Sequence, residues 1–212
     1  MTKRLNTSLS KELAWGIAAA AYRINGGYFK YIDDGKKPNT ELIYEILDNP
    51  ELMLTEDLDR GAVIRDYIAK TVTMATLRGT LDVWGQEMAR VAQLETIEDK
   101  FSLHVIASMP QTYARYLQRE KAHQRLSETV DHTELVVGDK VEITAEVVEN
   151  KYSTKWSCHY ITVVDTENRA WFFAHQRSLP KGSQHVFRGT VKRIQDRMVQ
   201  LNRVKIINKE EV

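Results

Sequence analysis

Two periodicities divide this chain. Up to about residue 128 apolar side chains recur every three or four positions, and from 135 onward they alternate with polar ones. The first spacing lays a stripe along a helix, and the second puts every other side chain on one face of a strand. Ser8 or Ser10 is expected to cap a first helix carrying Leu13, Ile17, Ala20 and Ala21, stopped at Gly26-Gly27. Asp33-Asp34-Gly35 and Pro38 break the next stretch. Thr40 then caps a short helix of Leu42, Ile43, Ile46 and Leu47, ended by Asn49-Pro50. Glu56, Asp57 and Asp59 follow Thr55 and favour the positive end of a helix dipole, opening a helix with Ile64, Ile68, Val72, Ala75 and Leu77 at spacings near four. A helix through Val83, Met88, Val91 and Leu94 comes next, and Thr96 with Asp99 opens another. Pro110 is expected to begin the final helix, with Tyr113, Tyr116, Leu117 and Leu126 as its buried set.

Beyond the polar joint Asp131-His132-Thr133-Glu134 the pattern changes. Val141, Ile143, Ala145 and Val147 alternate with Glu142, Thr144 and Glu146, as in a half-buried strand. Four more strands follow, over 157–164, 170–174, 186–194 and 198–206, separated by the turn-forming groups Asp165-Thr166-Glu167-Asn168, Leu179-Pro180-Lys181-Gly182-Ser183 and Gln195-Asp196. Five short antiparallel strands in about seventy residues is the count of an oligonucleotide-binding (OB) type barrel, with an SH3-like barrel as the alternative architecture. The expected fold class is therefore segregated α+β: a helical N-terminal domain over 1–128, then a five-stranded OB-like β-barrel over 135–207. Val141, Ile143, Val147, Ile161, Val163, Phe187, Val191 and Leu201 are its expected core.

The order Gly138-Asp139 before the first strand, a polar hairpin tip with aromatic flanks over Lys151 to Trp156, and Gly189-Thr190-Val191 in the fourth strand resembles the OB-fold C-terminal modules of uncharacterised bacteriophage and plasmid proteins. It differs from them in carrying Ser153-Thr154-Lys155 where such modules have a tip glycine, and a tight Gln195-Asp196 where they have a conspicuous loop. The resemblance covers 136–207 and implies a barrel that serves phage or plasmid DNA metabolism.

Charge sharpens that expectation. The formal net charge of +1 conceals a segment, 135–207, with 12 Lys and Arg against 7 Asp and Glu. A basic barrel rich in aromatics suits a phosphate-bearing partner. If Ile161 and Val163 face inward, Tyr160 and Thr162 face outward; placing Phe172 inward leaves Trp171, Phe173 and His175 outward. Arg188 and Lys192 share the face of the fourth strand opposite Phe187, Gly189 and Val191. The expected single-strand surface is therefore Lys155, Trp156, Tyr160, Trp171, Phe173, Arg188, Lys192 and Arg203. Bases would stack on the rings while cations track phosphates. A bulge in the last strand would turn Arg203 away. Arg115, Arg119, Lys121 and Arg125 read as the solvated face of a connecting helix.

Catalytic chemistry finds no footing. The acids Asp48, Glu51, Glu56, Asp57 and Asp59 lie at helix starts and in a loop, with no facing cluster to share a metal pair. The histidines at 104, 123, 132, 159, 175 and 185 show no metal spacing, and Cys158, the single cysteine, points away from His159 on a strand. Neither a phosphate-binding loop nor a Gly-x-Ser-x-Gly elbow occurs. No cofactor and no metal are expected. The longest early apolar run, 14–22, is shorter than the roughly 20 residues a bilayer requires, so no membrane partner and a cytoplasmic location are expected, the host's cytoplasm for a phage protein. The reading is a non-catalytic accessory protein that binds single-stranded nucleic acid, DNA favoured over RNA, alongside a larger replication or repair protein. The alternative is a protein-interaction adaptor that touches no nucleic acid.

Overall fold

The computed structural model describes residues 4–207, in the order β1 (Arg4–Ser10), α1 (Lys11–Asn25), α2 (Asn39–Asp48), α3 (Thr55–Leu77), α4 (Val83–Gln93), β2 (Thr96–Asp99), α5 (Lys100–Ser127), β3 (Lys140–Ser153), β4 (Cys158–Asp165), β5 (Ala170–His175), β6 (Gln184–Gln195) and β7 (Met198–Ile207). It divides into two compact units, 1–117 and 118–212, so that the last turns of α5 belong with the barrel. A helical region followed by a closed five-stranded barrel is the segregated α+β class that the periodicities predict.

In the first unit the buried part of α1 is mostly small residues, with Ala14, Gly16, Ala18, Ala19, Ala20 and Ala21 around Trp15 and Ile17. Small side chains let α3 approach closely. A Cβ placed on Gly61 would lie 2.5 Å from the backbone nitrogen of Gly16, so only glycine fits that crossing. Ser10 caps α1 by accepting from the Leu13 amide, and Gly26 closes it at φ 67°. The cap of α2 differs from expectation: Pro38 occupies the position assigned to Thr40. Asp57 accepts from the Leu54 amide at the start of α3 and takes a two-toothed bond from Arg23 at 2.9 and 2.8 Å. Burial alone would raise the Asp57 pKa, but those bonds hold it below the usual carboxylate range. That acid is structural.

Two corrections apply to the helical half. β1 and β2 form an antiparallel ladder, with Leu9 opposite Ile97, so the unit is not wholly helical. Pro110 lies inside the 28-residue α5 instead of starting a helix. Proline deletes one backbone bond and costs about 3 kcal/mol or more in a helix interior. Leu103, Ile106, Ala107 and Met109, all fully buried in the turns before it, offset that cost by packing.

The barrel closes in the order β3-β4-β5-β7-β6 and back to β3, antiparallel except for the parallel β5–β7 pair. The long β3 pairs with both β4 and β6, bending at a bulge between Val147 and Glu149. The interior holds Ile143, Val147, Ile161, Val163, Phe187, Val191 and Leu201, as alternation predicts, with Val141 packed at its edge. Leu179, from the loop before β6, joins that interior, its carbonyl accepting from Asn150 at 2.7 Å. The bulge turns Val148 outward, where it packs with Val164 under Ala122 and Leu126 from the end of α5. Among the described residues no helix is long and apolar enough to cross a membrane.

Candidate functional site

The frame of β5 is the main correction. Trp171 and Phe173 are 1% and 0% exposed inside the barrel, and Phe172 faces out. The ladder dictates this: Ile161 pairs with Phe173 and Val163 with Trp171, and residues directly opposite share a face. Trp171 is further fixed by donating its indole N–H to Asp165 Oδ2 at 2.9 Å. The same carboxylate accepts from the Arg169 and Glu167 amides and from Arg169 Nε. Burial would raise its pKa; the bonds from the Arg169 amide, Trp171 and the Arg169 guanidinium outweigh burial and depress it.

The other expected site residues divide. Tyr160 lies outside on β4, its ring 5.7 Å from that of Phe172 at an interplanar angle of 30°. Trp156 is 62% exposed at the β3–β4 tip, and Lys155 Nζ stands 5.2 Å from its ring centroid. Arg188 is not on this face. It belongs to the β6–β3 side and is held by Glu142 at 2.6 Å. Lys192 is exposed where the β6–β7 register shifts. Arg203 has φ 51° at the second irregularity of β7, the bulge that turns it out of line.

What the registers assemble instead is a row across the outer surface. Thr162 on β4 faces Phe172 on β5, Phe172 faces Gln200 on β7, and Gln200 faces Arg193 on β6. A parallel row runs Val164, Ala170, Met198 and Gln195. Neighbouring strands are about 4.8 Å apart, so a ring, an amide and a guanidinium follow at about that interval. Strict alternation from Phe187 and Val191 would turn Arg193 inward; the irregularity after Val191 puts it outside with Gln200.

The β5, β6 and β7 members of these rows, Ala170, Phe172, Arg193, Gln195, Met198 and Gln200, floor an open concavity of about 440 Å³, walled by Leu126 and Thr129 on one side and by the β6–β7 turn with Arg197 on the other. Arg197 is loosely tied, with Nε 3.5 Å from Asp131 and a 3.4 Å bond to the Ser127 carbonyl. The side chains of Arg193 and Gln200 have no hydrogen-bond or ion-pair partner among the described residues. Asp196 is the one acid lining the concavity. A second hollow, of about 490 Å³, lies between the end of α5 and β3, but there Lys121, Arg125 and Lys181 are balanced by Glu128 and Glu146, and Arg125 is engaged by Asn168. Among the described residues no group of three or more His, Cys, Asp or Glu is placed to hold a metal ion.

Phe172, Gln200, Arg193 and Arg197 are thus residues of the candidate site, lining the concavity, that sequence reasoning missed. The signal for Phe172 was the length of the β4–β5 turn, which sets the pairing and hence the face. No family model, curated protein or solved structure matches the chain.

Proposed function

We propose that this protein is a non-catalytic accessory factor whose barrel binds single-stranded nucleic acid, with DNA as the preferred ligand. The observation that carries the reading is the in-register row Phe172, Gln200, Arg193 on the floor of the concavity, with Tyr160 beside it. A base stacks on the open side of the half-buried ring, the unpartnered amide meets the base edge, and Arg193 and Arg197 take the adjacent phosphates. Trp156 and Lys155 at the hairpin tip offer a second ring and cation of the same kind. The outer face of the second and third strands, flanked by these two turns, is the surface that OB barrels use for oligonucleotides. The resemblance of strands 136–207 to phage and plasmid modules makes DNA metabolism in a cytoplasm the setting, beside a larger replication or repair protein.

The test is fluorescence anisotropy of a labelled single strand at two salt concentrations. Binding must weaken steeply with salt, because each phosphate contact releases counterions. Phe172→Ala should cost about 1–3 kcal/mol with the salt slope unchanged. Arg193→Ala should lower that slope by about one contact. If the parent protein shows no salt-dependent affinity for single strands, the adaptor reading replaces this one.

A further inference from the structure

Three cations expected on the single-strand surface, Arg188, Lys192 and Arg203, lie away from the concavity, and the registers say where they go. Two outward rows cross β3, β6 and β7. In one, Glu142 faces Arg188 and Arg188 faces Lys205; in the next, Lys140 faces Thr190 and Thr190 faces Asn202. Both alternate with the inward Ile143, Phe187, Val191 and Leu201. Lys192 and Arg203 stand exposed at the two register shifts that flank the second row. Lys140, Arg188 and Lys205 are exposed as well.

Charge on this face is one-sided. Its five cations share the two rows and their flanks with one acid, Glu142, which is held by Arg188 at 2.6 Å. The side chains of Lys140, Lys192, Arg203 and Lys205 have no hydrogen-bond or ion-pair partner among the described residues. Neighbouring acids are used elsewhere. Asp139 accepts from the Val136 amide in its own loop, and Glu146, two rows along β3 from Glu142, lines the hollow beside the end of α5. Glu134 precedes that loop, and Lys209, Glu210 and Glu211 lie outside the described residues. Arg188 and Lys205 are moreover direct cross-strand neighbours, and like charges directly opposite weaken a ladder. Stability alone would place an acid at one of them.

The two rows carry no aromatic ring. A single strand draws affinity from bases stacked on rings, whereas a duplex hides its base faces and offers phosphates at one charge per about 1.7 Å of axis. A ring-free face of unpaired cations matches the second ligand. We propose that the β3–β6–β7 face binds the phosphate backbone of duplex DNA, so that the ligand of the whole barrel is a duplex with a single-stranded tail. The tail rests on the nucleic-acid reading above; the duplex face does not. β7 joins the two surfaces. Gln200 on the floor of the concavity and Asn202 on the basic face are alternate residues of one strand, about 7 Å apart. The duplex therefore ends where its longer strand enters the concavity.

The test is anisotropy of three labelled DNAs (a blunt duplex, a single strand and a duplex with a single-stranded tail) over a range of salt, with circular dichroism to verify each variant's fold. For the blunt duplex, log K should fall by about 3–4 per tenfold rise in salt, as four phosphate contacts require. Lys140→Ala and Lys205→Ala should each lower that slope by about one and leave single-strand affinity unchanged. Phe172→Ala should weaken the single strand and the tailed duplex but not the blunt duplex. The tailed duplex should bind about tenfold or more tighter than either part, because its second contact is intramolecular. A blunt duplex without salt-dependent affinity overturns the duplex face, even where the single strand binds. Duplex binding indifferent to the double variant Lys140→Ala, Lys205→Ala overturns it too, since another surface must then carry the contact. A tail that adds nothing while both parts bind overturns the composite ligand. If the single strand fails to bind while duplex binding still depends on the two lysines, the groove reading falls with its tail and the duplex face stands.

Discussion

Trp171 and Phe172 are neighbours in sequence with opposite duties, so truncating each to alanine separates fold from site. Trp171 is 1% exposed in the barrel interior and its indole donates to the buried Asp165 carboxylate at 2.9 Å. Removing a buried tryptophan costs about 3–5 kcal/mol in lost transfer and cavity. The lost bond to a carboxylate adds about 1.5–3 kcal/mol, reduced here because Asp165 keeps its bonds from the Glu167 and Arg169 amides and the Arg169 side chain. A total of about 4–6 kcal/mol is expected from these two contributions, comparable with the whole stability of a small domain. Each kcal/mol moves Tm by about 4–8 °C for a unit of this size, so Trp171→Ala should melt some tens of degrees lower or fail to fold. Phe172 lies half-buried outside and loses chiefly its tilted contact with Tyr160, about 0.5–1.5 kcal/mol. Phe172→Ala should therefore keep a Tm within about 10 °C of the parent while losing single-strand affinity. Calorimetry and anisotropy on the same samples decide it. Equal Tm losses, or a larger loss in Phe172→Ala, would refute the assigned frame of β5.

That frame shows where legibility ends. The inward set Ile143, Val147, Ile161, Val163, Phe187, Val191 and Leu201 could be read from alternation because polar residues such as Glu142, Thr144, Glu146, Thr162, Arg188, Thr190, Lys192 and Gln200 mark the opposite face of their strands. Trp171-Phe172-Phe173 offers no such contrast: three aromatics in a row satisfy either frame, and the deciding facts are the pairing with β4 and the carboxylate of Asp165. Both are tertiary. Arg193 illustrates a second limit, since a bulge reverses the faces of every residue after it and leaves no composition mark. Tyr160 and the Lys155–Trp156 tip were placed outside correctly, because Tyr160 is out of phase with the inward Ile161 and Val163 and a polar hairpin tip must be solvated. In the helical half, β1 is missed because a two-stranded ladder is stabilised by its partner β2, ninety positions away in the chain, and not by its own pattern. Pro110 deceives for the opposite reason: a strong local signal is overridden by four buried neighbours.

The remaining predictions concern stability. Gly61→Ala should lower the Tm of the helical unit strongly, because the added Cβ meets the backbone of Gly16 and Trp15 at 2.5 Å and backbone yields less readily than side chains; overpacking of this kind costs about 1–3 kcal/mol or more, and an unchanged melt would show that the helices part easily. Asp165 has a depressed pKa, so its stabilisation is fully present above the ordinary carboxylate range and is lost as pH falls through the folded value. Asp165→Asn should lower Tm at neutral pH and flatten the acid decline, and a variant as acid-sensitive as the parent contradicts that. His132 gives a decline at milder pH. Its Nε2–H donates to the Ala170 carbonyl at 3.0 Å, its ring stands edge-on to Trp171, and its Nδ1 is buried without a partner. Burial lowers its pKa; the Ala170 bond and the nearby Asp165 and Asp131 oppose this, whereas Arg169 adds to it. The unfolded chain therefore takes up the proton first. Stability is full above the ordinary histidine value, about 6.5, and falls as pH drops from there toward the lower folded value. His132→Phe keeps the ring against Trp171 and removes the titration, so the difference in Tm between parent and variant should grow in the variant's favour from neutral to mildly acid pH. Taking the difference cancels His104, which burial also depresses. A difference that stays constant across that range would mean that His132 titrates alike in both states, and that its buried nitrogen finds an acceptor on protonation.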